Sequence, residues 1–118
     1  MFSDRDEQRL RDIVENADAI DDYTGGLTFA QFKSARMVQD ATERCIERAI
    51  EATVQIGPKT MAHVLASFPA AEVRGMGKRL RHEYGAINPE LVWATAKGDV
   101  PRLREACVQI LVTIEHAR

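Results

Sequence analysis

The sequence predicts an all-α chain, an antiparallel bundle of about five helices. Three observations predict it. Apolar residues recur at three- and four-residue spacing along most of the chain. No segment shows the sustained alternation of a half-buried strand. The prolines, Pro58, Pro69, Pro89 and Pro101, all stand where an apolar period stops or restarts, near helix starts that tolerate proline.

The first helix is expected over 4–22. Ser3 can cap it, and Leu10, Ile13, Val14, Ala17 and Ile20 form one apolar stripe opposite a mostly acidic face. The pair Gly25-Gly26 supplies a stop and a turn. Thr28 and Gln31 then have the spacing of a capping box. From there one long helix is expected to reach Ile56, bent near Ser34, with Phe29, Phe32, Val38, Ala41, Cys45, Ala49 and Ala52 along its apolar side. At 1.5 Å per residue such a helix would be the spine of the bundle. Gly57-Pro58 closes it. Short helices follow over 59–68 and 71–84. Asn88-Pro89 is a cap with proline at the first helical position and starts the segment holding Trp93. Gly98-Asp99 is expected to interrupt that segment. The last helix, over 101–116, carries Leu103, Cys107, Ile110, Leu111 and Ile114 on one stripe.

A chain of 118 residues has room for one hydrophobic core, so residues 1–118 read as a single domain. The net charge of -2 gives no overall attraction to nucleic acid or to an anionic membrane, so any such attraction must be local. Cys45 and Cys107 are far apart among apolar neighbours and read as reduced core residues. The charged start and the short apolar runs predict neither a signal peptide nor a membrane span, and hence a cytoplasmic protein. No metal-ligand spacing, phosphate loop or nucleophile elbow is present, and no metal or cofactor is expected.

The segment from Arg74 to Tyr84 stands apart. Arg74, Lys78, Arg79 and Arg81 lie beside His82, with no acid until Glu83. At about 100° per residue, Arg74, Lys78 and Arg81 share one helical face, while Arg79 and His82 lie together one turn apart. Gly75 and Gly77 each weaken the helix by about 1 kcal/mol relative to alanine, and let backbone approach a phosphate. Taken alone, the segment fits a solvated helix, a nucleic-acid site or a catalytic one.

The wider pattern resembles the HepT-like proteins, a minimal branch of the HEPN superfamily. The resemblance runs through Arg9-Leu-Arg-Asp-Ile13, Tyr23-Thr-Gly-Gly-Leu-Thr-Phe29, Gln39-Asp-Ala41, Arg44 and Glu51-Ala52. It continues through Gly75-Met76, Arg79-Leu80, His82, Tyr84 and Leu91-Val-Trp93. It implies a metal-independent ribonuclease toxin that acts as a homodimer, with RNA as substrate and a minimal nucleotidyltransferase as antitoxin. The family's histidine corresponds to His82. Its tyrosine corresponds to Tyr84, the position that the partner modifies with AMP.

The chemistry suits the residue types. RNA cleavage without a metal needs a group that takes the 2′-hydroxyl proton, which histidine does near neutrality. It also needs fixed positive charge on the phosphate, for which Arg79 and Arg74 are the catalytic candidates and Lys78 and Arg81 the further RNA-binding ones. Residues five apart on a regular helix point about 140° from each other, so the family's arginine and histidine converge only through a distortion or across a dimer. The sequence departs from the family at one place: Gly77 stands where the arginine is usual, and Lys78 follows it. Either Arg79 or Arg74 substitutes, or the ribonuclease is weakened or lost, or Gly77 is an introduced inactivating change. The second reading is a non-catalytic module that docks a nucleotidyltransferase or a nucleotide, and a third is a purely structural helical dimer.

Overall fold

The computed structural model describes residues 2–80 and 88–118. Among these, every regular element is helical: α1 Asp4–Thr24, α2 Phe29–Lys33, α3 Arg36–Gln55, α4 Pro58–Leu65, α5 Ala70–Leu80, α6 Pro89–Ala94, a π-helical turn Thr95–Asp99, and α7 Val100–His116. The fold is the all-α, HEPN-like bundle that the sequence predicts.

Local caps set several boundaries. The Asp6 amide donates to Ser3 Oγ at 3.0 Å, and α1 runs two residues past its expected end. Thr28 and Gln31 form the full capping box, with bonds of 3.2 and 2.9 Å. Asn88 Oδ1 accepts the amides of Glu90 and Leu91 at 3.0 and 3.3 Å and starts α6. Gly57 caps α4, which takes Pro58 as its first residue and ends at Leu65, three residues before the expected Phe68.

Two expected elements differ. The long helix ending near Ile56 is two helices, because Ser34 (φ -96°, ψ 0°) and Ala35 (φ -112°, ψ 81°) leave helical geometry. Gln39 fixes this break: its buried side-chain amide donates to the carbonyls of Phe32 at 2.8 Å and Lys33 at 2.9 Å at the end of α2, where the Phe32 carbonyl also accepts the Ala35 amide at 3.0 Å. Conversely, Gly98-Asp99 does not interrupt the chain. Ala94, Thr95, Asp99 and Val100 all keep right-handed helical angles, and the Val100 amide reaches back to Thr95 O. That wider turn joins α6 to α7 and accommodates Pro101, whose ring would crowd a regular α-helix.

The packing is antiparallel. Asp6, at the start of α1, bonds to Gly57 beyond the end of α3. Arg118 pairs with Glu7, while Arg104 meets Asp18 at 2.7 Å, so α7 runs opposite to α1. Between these helices Leu10, Ile13, Ala17 and Ile20 of α1 meet Cys45, Ile46 and Ala52 of α3 and Leu103, Ala106, Cys107 and Ile110 of α7, all buried. A fully buried leucine or isoleucine contributes about 1.5–3 kcal/mol, so this seam outweighs any single surface contact. At one end Trp93 packs on Phe32 (ring centroids 5.0 Å) and Phe29 (5.9 Å). Lys97 lies 4.8 Å over the Trp93 ring and donates to Thr24 O at 3.3 Å, capping the end of α1. Among the described residues no helix is long and apolar enough to cross a membrane.

Candidate functional site

The basic segment begins on α5, which the core holds by one face. Met76 is buried, and Val73 packs against the core from the half-buried edge. Turning that face inward leaves Arg74 and Lys78, four residues apart, exposed together. They form one rim of a groove of about 440 Å³ between α3 and α5, lined also by Ile50, Thr53, Val54, Val73 and Gly77. Among the described residues the lining includes no acid. Neither Arg74 nor Lys78 makes an ion pair or hydrogen bond among the described residues. Val54, at 78% exposure, presents an apolar side chain at the same groove. The surface offers unneutralised positive charge beside an aliphatic floor, which suits a phosphate-bearing ligand.

The two glycines have different surroundings. A Cβ placed on Gly77 would meet no atom within 4 Å, so the fold does not require glycine there. A Cβ on Gly75 would lie 3.1 Å from Arg79 Nη2. The bare backbone at Gly75 leaves room for the Arg79 guanidinium to lie back over the helix, where its Nε donates to Gly75 O at 3.2 Å.

From that position Arg79 Nη1 forms an ion pair with Asp99 Oδ2. Asp99 ends the π turn, and only 13% of its side chain is exposed. Arg102 lies 4.0 Å from the other Asp99 oxygen and meets Glu72 at 2.5 Å, with its guanidinium 5.4 Å over the Phe68 ring. The Glu72 partner and the carboxylate of Asp99 both favour the charged form of Arg102. Two acids and two arginines thus tie α5 to the π turn and to α7. The sequence reading gave Asp99 no such place. Its signal was there: Asp99 stands four residues before Leu103, on the buried stripe of α7, where an acid requires a partner.

The structure therefore sets Arg74 and Lys78 together on the groove and turns Arg79 toward Asp99. Arg81, His82 and Tyr84 lie outside the described residues; the last of α5, Leu80, precedes His82 by two positions. Among the described residues, no three side chains of His, Cys, Asp or Glu are grouped to hold a metal ion.

Comparison with known proteins fits this arrangement. Residues 13–110 match the model of the family described as Ribonuclease HepT-like. A protein of Methanocaldococcus jannaschii named as an RNase is 31% identical over 106 residues, covering 90% of this chain and 87% of its own. A protein of Thermococcus cleftensis named ribonuclease HepT is 30% identical over 95 residues, covering 80% of this chain and 86% of its own. An RNase-named protein of Caldanaerobacter subterraneus is 26% identical over 102 residues, covering 86% and 90%. No solved structure matches the chain. With the helical bundle and the basic groove in place, a match over residues 13–110 assigns the chain to the HepT-like ribonuclease family.

Proposed function

We propose that this chain is the toxin of a toxin–antitoxin pair, a metal-independent endoribonuclease that binds RNA along the basic groove and uses His82 for proton transfer. The observation that carries the reading is the groove rimmed by Arg74 and Lys78, without an acid among its described residues, in a HepT-like ribonuclease chain, four residues before His82 at its nearer cation. Arg74 and Lys78 hold the phosphate as negative charge builds on it. His82 takes the proton of the 2′-hydroxyl, the freed oxygen attacks the adjacent phosphorus, and the bond to the 5′-oxygen breaks as that oxygen takes a proton. A homodimer brings two basic segments together, as convergence of arginine and histidine from one helix is geometrically poor. The antitoxin is a minimal nucleotidyltransferase that places AMP on Tyr84 and blocks the site with added negative charge.

The test is RNA cleavage in the presence of EDTA. Cleavage that persists with the chelator and disappears in His82→Ala supports the reading; loss of cleavage with EDTA overturns the metal-independent scheme. Mass spectrometry after co-expression with a minimal nucleotidyltransferase encoded beside this chain checks Tyr84, where absence of an added AMP sinks the modification scheme.

Gly77 favours a second reading, a disabled HEPN module that docks its nucleotidyltransferase partner or a nucleotide without cutting. Glycine brings no charge to the phosphate, and a Cβ at Gly77 would meet open space, so the backbone there admits a side chain. On this reading the native chain leaves RNA intact while Gly77→Arg cuts it.

A further inference from the structure

We propose that Asp99 withholds Arg79 from RNA, its carboxylate occupying the guanidinium as a phosphate would, and that Arg74 and Lys78 are the phosphate-binding cations of α5. The inference rests on the RNA-binding reading above and goes beyond it in dividing the cations of one helix into two classes.

Carboxylate and phosphate present equivalent oxygen pairs to the arginine fork, so one replaces the other at the same guanidinium. Arg79 is 32% exposed, close enough to the surface for a ligand to reach. Two of its donors are already engaged, Nη1 with Asp99 and Nε with Gly75 O, and these contacts hold the guanidinium back over the helix. The π turn delivers Asp99 to this spot, and Gly75 clears the space that the guanidinium fills. Pulling Arg79 out toward a phosphate would strand a nearly buried carboxylate whose other cation, Arg102, is 4.0 Å away and engaged with Glu72. Stranding a buried charge costs more than one further surface phosphate contact returns. Arg74 and Lys78 incur no such penalty, since no acid among the described residues holds them.

The experiment measures binding of a single-stranded oligoribonucleotide against salt concentration, because each cation that neutralises a phosphate contributes about 0.7 to the slope of log affinity on log salt. Arg74→Ala and Lys78→Ala are each expected to lower the slope by about 0.7, and Arg79→Ala to leave it unchanged. Asp99→Asn frees Arg79 and steepens the slope by about 0.7, and Asp99→Asn/Arg79→Ala returns it to the native value. The charge-matched control Asp99→Asn/Arg104→Ala, altered on the far α1 side, keeps the steeper slope. A merely structural ion pair would lower thermal stability in Asp99→Asn without steepening the slope, and that result overturns the inference. If Asp99→Asn does not fold, the comparison within the native Asp99 background decides: equal losses in Arg79→Ala and Arg74→Ala overturn it. Absence of RNA binding by every variant removes the RNA reading itself, whereas binding with unmoved slopes removes this inference alone.

Discussion

Asp6, in the first turn of α1, caps a helix 51 residues away. Its carboxylate accepts the Gly57 amide at 3.1 Å and the Thr60 hydroxyl at 2.6 Å, so α1 closes the N-terminus of α4. The Thr60 bond, then the Gly57 bond, hold the Asp6 carboxyl below the ordinary aspartate range.

A carboxyl whose folded value is depressed stabilises the fold above the unfolded value and loses that contribution as pH falls through the folded one. Asp6→Ala is expected to cost about 1–2 kcal/mol at neutral pH, the usual worth of a helix cap. The part of that difference due to the charged carboxyl should begin to shrink below about pH 4, where the unfolded carboxyl protonates, and be lost once pH falls through the lower folded value. Urea unfolding of both proteins at several pH values checks this.

Replacing Gln39 tests the break between α2 and α3. Gln39→Leu puts an apolar side chain in the buried place but takes the side-chain donor from the Phe32 and Lys33 carbonyls, of which Phe32 keeps the Ala35 amide. A loss of about 2 kcal/mol is expected, and hydrogen exchange should rise first in 29–35.

The two glycines of α5 should respond oppositely to alanine. Gly77→Ala meets open space and is expected to raise stability by up to about 1 kcal/mol. Gly75→Ala presses on the Arg79 guanidinium at 3.1 Å, so its helix gain is offset by disturbance of the Arg79–Asp99 pair. Thermal unfolding of the two variants side by side measures the contrast.

Burial pushes the Cys107 thiol up to about 12, and raises that of Cys45 as well. Both should resist iodoacetamide at pH 8 in the native protein and react after denaturation, since the thiolate is the attacking form. The sign for stability follows: the native chain keeps a proton that the unfolded thiol releases, so stability falls as pH rises above the ordinary thiol range near 9. Cys107→Ala should remove that part of the alkaline decline, at the expense of a small cavity.

The sequence by itself determined the features that depend on one helical turn. The Ser3 cap, the Thr28–Gln31 box, the Asn88 cap and the apolar stripes of α1 and α7 all arise between residues no more than four apart, so their spacing is visible in the chain. The shared face of Arg74 and Lys78 follows from the same period, as does the family pattern around Gly75-Met76 and Trp93. Only the tertiary structure decided what depends on residues distant in sequence or on competing backbone geometries. The break at Ser34–Ala35 is held by Gln39 from the next helix, with no proline or glycine to announce it. Gly98-Asp99 has the composition of a stop, yet packing of Asp99 against Arg79 and Arg102 selects a π turn that carries the helix on. The helical period already puts Arg79 on a different face from Arg74 and Lys78, but its pairing is decided by a carboxylate 20 positions away, which no local spacing reveals.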